Sequence, residues 1–154
     1  MANIFRLGGG GGAKKNYIFK DGAWIGNQHT VNKGNILPSG ELELVPIGTS
    51  ETDSAWIKIT GLNVGDVVCF RISKIYEANK LYSHIEGYAS ATWLTDSQVS
   101  NLSGAWRMHH NNGTTVGPFL GAVGIKNAGD SAFFVVTKNG ANTLNVSVDE
   151  IWIE

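Results

Sequence analysis

The sequence predicts an all-β protein built as an antiparallel β-sandwich, and three observations predict it. Charged residues make up only 16 % of the 154 residues, while 20 are glycine; an average domain carries about 25 % charged residues and about 7 % glycine. Run after run alternates apolar and polar side chains with period two, the pattern of a strand with one face on a core. Turn-forming pairs, Asp21-Gly22, Asn112-Gly113 and Asn139-Gly140, separate these runs, and such pairs supply the positive φ angles of tight hairpins. No long stretch has a helical period. The length suits one domain with a real core.

In chain order, residues 3–7 read as a short strand. Gly8 to Gly12 then run unbroken, a composition expected to act as a flexible joint. Ala13-Lys14-Lys15 follow, where a phosphate-binding loop would need a glycine before its lysine and Ser or Thr after it. Residues 16–26 form a hairpin around Asp21-Gly22. A lone hairpin is marginal in water, so Tyr17, Phe19 and Trp24 must pack on the main body or on a neighbouring copy. The chain thus divides into an N-terminal arm, 1–28, and a sandwich, 29–154, with the arm pointing to a homo-oligomer.

Within the sandwich, Leu42 and Leu44 point inward between outward glutamates. Ala55, Ile57 and Ile59 share one face and Trp56 the other. After the turn at residues 61–66, Val68, Phe70 and Ile72 form an inward set. Further strands are expected over residues 81–89, 105–111 and 116–125, and one helical turn over 96–102. In the last run Leu144, Val146 and Val148 share a face. Ile151 and Ile153 rejoin that face if a bulge lies near residues 148–150. Residues 132–138 and 143–154 are expected to pair across Asn139-Gly140.

Several function classes lack support. The formal net charge is -1 and no basic stripe exists to neutralise phosphates, which argues against nucleic acid. The single Cys69 allows neither an internal disulfide nor a cysteine-based zinc site. No apolar run spans a bilayer, so membrane insertion is not expected. The N-terminus lacks a signal peptide's charged start and apolar centre. The expected location is a virion or cell surface reached by another export route, otherwise the cytoplasm.

Three segments carry a resemblance. Residues 56–70, with the turn Leu62-Asn63-Val64-Gly65, residues 132–137, and Val148-Asp149-Glu150-Ile151 near the end resemble the galactose-binding-like jelly rolls that include many carbohydrate-binding modules. The likeness covers roughly residues 35–154 and implies a jelly-roll sandwich that binds glycans without catalysis. Such jelly rolls often hold a structural calcium through carbonyls and a carboxylate, for which Asp149 and Glu150 are the candidates. The N-terminal part is similar in style to adapters of phage tail or baseplate-associated proteins.

Sugar recognition needs flat aromatic faces beside amides, hydroxyls and charged groups. Tyr82, His84, Tyr88, Trp93, Trp106, His109, His110 and Asn111 supply them and are the expected ligand-binding residues. His84, Glu86 and Tyr88 share one strand face. Trp106, Met108 and His110 share another, with Arg107, His109 and Asn111 opposite. Adjacent His109 and His110 point apart on a strand, so they do not form a metal pair. No nucleophile motif is present, and the carboxylates fall mostly on outward positions. The reading is a non-catalytic carbohydrate-binding module of a phage tail or cell-surface assembly. Its alternative is a structural tail or fibre subunit whose exposed aromatics make subunit contacts.

Overall fold

The structure is a computed structural model and describes residues 4–7, 14–47, 54–78, 83–110, 113–138 and 143–154. Its strands are β1 (Ile4–Leu7), β2 (Asn16–Lys20), β3 (Ala23–Trp24), β4 (His29–Asn32), β5 (Gly34–Ile36), β6 (Leu42–Leu44) and β7 (Ser54–Ile59). They continue with β8 (Val67–Glu77), β9 (Ser83–Ser90), β10 (Trp106–His110), β11 (Gly113–Gly124), β12 (Ser131–Thr137) and β13 (Leu144–Ile153). A single turn of helix, α1 (Asp96–Ser100), lies between β9 and β10. Its N-terminus is fastened where Gln98 Oε1 accepts the Thr95 N–H at 2.9 Å, one half of a capping box.

All pairings are antiparallel and fall into two sheets. One runs β1-β11-β8-β13-β2-β3, with β6 also on β13 and β5 on β6; the other runs β10-β9-β12-β7-β4. From β6 onward the chain fills the orders β6-β13-β8-β11 and β7-β12-β9-β10, which is the double Greek key of a jelly roll. The expected all-β sandwich is therefore the observed fold.

One expected pairing is corrected. β12 and β13 do not form a hairpin: β12 lies between β9 and β7, and β13 lies beside β8 in the opposite sheet. β12 is buried along its whole length, as a central strand covered on both faces must be, so its pattern carries no hint of which sheet takes it. Asn139-Gly140 lies outside the described residues, as does Asn112.

Between the sheets Val68, Phe70, Ile72, Ala55, Ile57, Ile59, Phe134, Val136, Val146 and Val148 form the core, the inward sets that period two assigns. The β8–β13 register shifts between Val148 and Glu150. This bulge keeps Ile151 buried with Val146 and Val148.

The N-terminal hairpin joins the body. Asp21 and Gly22 both have positive φ, 52° and 74°, as a type I′ turn requires. β2 pairs with β13, burying Phe19. Trp24 lies 4.8 Å from Phe19 and stacks on the His29 ring at 3.8 Å. Since His29 belongs to β4, in the other sheet, this stack clasps the two sheets at one edge. Of the two destinations open to Tyr17, Phe19 and Trp24, the chain's own body takes all three, with Tyr17 edge-on to Trp152.

Candidate functional site

The outer face of the five-stranded sheet brings together some of the expected ligand residues. Register sets His84 of β9 opposite His109 of β10, and Glu86 opposite Arg107. Even positions of β9 point away from the core, because Ile85 and Gly87 point into it. Glu86 is only 1 % exposed, although it stands on the sheet's outer side. Its carboxylate is paired with the Arg107 guanidinium and lies 3.4 Å from His84 Nε2. The His84 and His109 rings meet edge to face at 5.9 Å. A carboxylate withdrawn from water this far needs a bonded partner, and Arg107 provides it from the edge strand.

Along the same row of the sheet, Glu86 is followed by Val135 and then Trp56. Two strand spacings put Trp56 about 10 Å from Glu86. Trp56 is half-buried and rests edge-on against Phe133.

Three expected ligand residues are buried. Tyr88 is fully buried, stacked on Phe133 at 5.0 Å, and its hydroxyl accepts the Leu94 N–H at 3.0 Å. The segment around α1 causes this, since Val99, Leu94 and Leu102 fold over this end of the outer face and make a second small core there. Trp106 is 8 % exposed and points into the main core. His110, on the same inward parity, is buried at the end of the sandwich. Its Nε2 bonds the Thr115 hydroxyl at 2.9 Å, and its Nδ1 stands 3.8 Å from the Glu77 carboxylate.

Trp93 is 41 % exposed, but it follows Ser90, about 20 Å along β9 from His84. Tyr82 and Asn111 lie outside the described residues. Glu86 and Arg107 share strand faces with the expected ligand residues His84 and His109 without being among them; that the two pair with each other needs the register to be read.

Asp149 and Glu150 do converge, but on Arg71, whose Nε is 3.8 Å from Asp149 and whose Nη1 is 3.4 Å from Glu150. Desolvation raises the Asp149 pKa above its ordinary value of 3.8; Arg71 opposes that rise, and Glu150 and Glu41 add to it. No three His, Cys, Asp or Glu side chains among the described residues are grouped as a metal shell requires. The Arg71 guanidinium offsets one of the two negative charges of Asp149 and Glu150.

No protein-family model matches this chain, and no curated protein matches it. Among solved structures, it is similar to the K1 cleaved adhesin domain of Lys-gingipain from Porphyromonas gingivalis W83. That similarity has a TM-score of 0.42 at 16 % identity over 74 % of this chain and 73 % of that one. No helix among the described residues is long and apolar enough to cross a membrane.

Proposed function

We propose that this chain is a non-catalytic binding module that takes carbohydrate on the outer face of its five-stranded sheet, around Arg107, Glu86, His84 and His109. The observation that carries the reading is Glu86, a carboxylate almost without exposure on the outer side of a sheet, fixed between Arg107 and His84. Charged groups held this way are pre-organised, so a ligand meets them without further ordering cost. Arg107, held by Glu86 and with 29 % of its side chain in solvent, offers paired donors at one spot, which suits vicinal hydroxyls. Trp56, farther along the row, supplies the flat apolar surface that a sugar ring's C–H face prefers. Such a module would serve a cell-surface or virion assembly. The rival reading, a subunit whose aromatics are reserved for its neighbours, loses support because Phe19 and Trp24 are satisfied within one chain.

The test is a glycan-array screen of the purified protein, Arg107→Ala and His109→Ala, each checked for native circular dichroism. Specific glycan binding that is lost in the folded variants supports the proposal. Binding unchanged in both variants, or no binding to any glycan, refutes it.

A further inference from the structure

The outer face of the opposite, eight-stranded sheet contains a cavity of about 230 Å3, lined by Glu41, Glu43, Lys74, Tyr76, Asn145 and Ser147, with Leu37 at its margin. The bulges in β8 and β13 create it by resetting which side chains face outward. Beyond them Lys74 lies opposite Ser147 and Tyr76 opposite Asn145, while Glu43 of β6 flanks Ser147 from the other side. The turn between β5 and β6 is the wall. Leu37 N–H donates to the Glu41 carbonyl at 2.8 Å and Gly40 N–H to the Leu37 carbonyl at 2.9 Å, holding Glu41 over the floor.

Two features distinguish this hollow from ordinary surface. Tyr76 is 38 % exposed, a large ring left on a sheet face. The Asn145 Oδ1 is buried and accepts no hydrogen bond from the described residues, although buried acceptors are normally satisfied.

We propose that this cavity is a second binding site and that it takes one pyranose ring, with Tyr76 as the stacking surface and Asn145 Oδ1 accepting a ligand hydroxyl. The inference rests on the reading of the chain as a carbohydrate-binding module, but not on the face around Arg107. Chemistry narrows the choice. Glu41 and Glu43 repel a phosphate or carboxylate ligand. A peptide cannot add as a strand, because β13 is already paired on both sides by β8 and β6, and strand addition needs a free edge. Recognition must therefore run through side chains: an amide, a hydroxyl, an ammonium, two carboxylates and one ring, a mixture of donors and acceptors suited to a neutral polyhydroxylated ligand. The volume lies below the about 300–1,000 Å3 of pockets for drug-sized ligands, in keeping with a single ring. A neighbouring hollow of about 450 Å3, lined by Asp21, Ser39, Asp149 and Glu150 among others, shares Glu41. A longer glycan has room to continue into it.

The experiment is amide-shift mapping of the 15N-labelled full chain by NMR. The methyl glycosides of galactose, glucose, mannose and N-acetylglucosamine are each titrated to tens of millimolar. The expected result is saturable movement of the Tyr76, Asn145 and Ser147 signals with at least one sugar. Tyr76→Ala should weaken that binding about tenfold, a loss of about 1.4 kcal/mol, and Asn145→Ala should weaken it as well. Movement confined to the signals of His84, Glu86 and Arg107 would overturn the second site and leave the module reading standing. Movement near Tyr76 that survives both substitutions also overturns it. Silence from all four sugars at both faces would overturn both proposals.

Discussion

The indole N–H of Trp106 donates to the carbonyl of Ala122 at 3.2 Å, a hydrogen bond that crosses the core from one sheet to the other. The ring lies where two glycines make room for it. A Cβ at Gly87, its partner across the β9–β10 ladder, would stand 2.3 Å from the indole, and one at Gly121 of the opposite sheet 2.4 Å. A buried indole N–H needs an acceptor, and the paired glycines let a backbone carbonyl come close enough to be one.

Gly87→Ala and Gly121→Ala are therefore each expected to destabilise the fold by about 1–3 kcal/mol, the usual cost of overpacking. Trp106→Phe should cost a similar amount through its lost bond and volume. Trp93→Ala, an exposed ring, should stay within about 0.5 kcal/mol of wild type. Urea midpoints of the four variants check this ordering, and a silent Gly87→Ala would contradict the placement of the indole.

The clasp between Trp24 and His29 predicts a pH dependence. Burial holds the His29 pKa below its ordinary 6.5, because the imidazolium loses hydration. The unfolded chain thus takes up this proton before the folded one as pH falls. His29 contributes stability that is fully present above 6.5 and lost as pH drops through that value and on to the lower folded pKa. Melting temperatures from neutral to mildly acidic pH should fall less steeply in His29→Gln than in wild type. Parallel curves for the two proteins would count against the clasp.

Period two was enough to find the faces of most strands. Leu42 and Leu44, or Val68, Phe70 and Ile72, fall inside as their alternation requires, and the bulge near Val148 followed from the parity change before Ile151. Parity does not say what covers a face. Tyr88 shares a parity with His84 and Glu86, yet Val99 and its neighbours fold over Tyr88, and no local pattern announces that. Sheet membership was equally hidden for β12, whose run of buried residues fits either sheet. The Arg107–Glu86 pair depends on the register of β9 against β10, and the Tyr76 cavity on two bulges acting together. Both arise from tertiary alignment rather than from any single stretch.

Asp149 offers a test of the opposite sign. Its folded pKa is raised above 3.8, chiefly by desolvation. Such a group favours the fold below 3.8, and that contribution is lost as pH rises through the folded pKa. Asp149→Asn should consequently raise the melting temperature at neutral pH and lose that advantage below 3.8. Arg71 retains Glu150 at 3.4 Å in the variant, so the cation keeps a partner. A variant that melts lower than wild type at neutral pH would show that the Arg71 attraction outweighs desolvation.

The Arg107–Glu86 pair separates a role in the fold from a role in binding. Removing the guanidinium takes a charged partner from a carboxylate with 1 % exposure, and truncating one side of a charged, bonded pair costs about 1.5–3 kcal/mol. Arg107→Ala is expected near the lower end, because Arg107 keeps 29 % of its side chain in solvent and β10 is an edge strand. Replacing both partners with apolar residues, Arg107→Met with Glu86→Leu, should cost less than Arg107→Ala alone, since no charge is then stranded. If the pair only tied β10 to the sheet, the double variant would regain stability and glycan binding together. The proposed function instead requires stability to return while binding stays lost, because a methionine and a leucine offer no donors or acceptors to a hydroxyl. Urea titrations and glycan binding measured on the same three proteins decide between these outcomes.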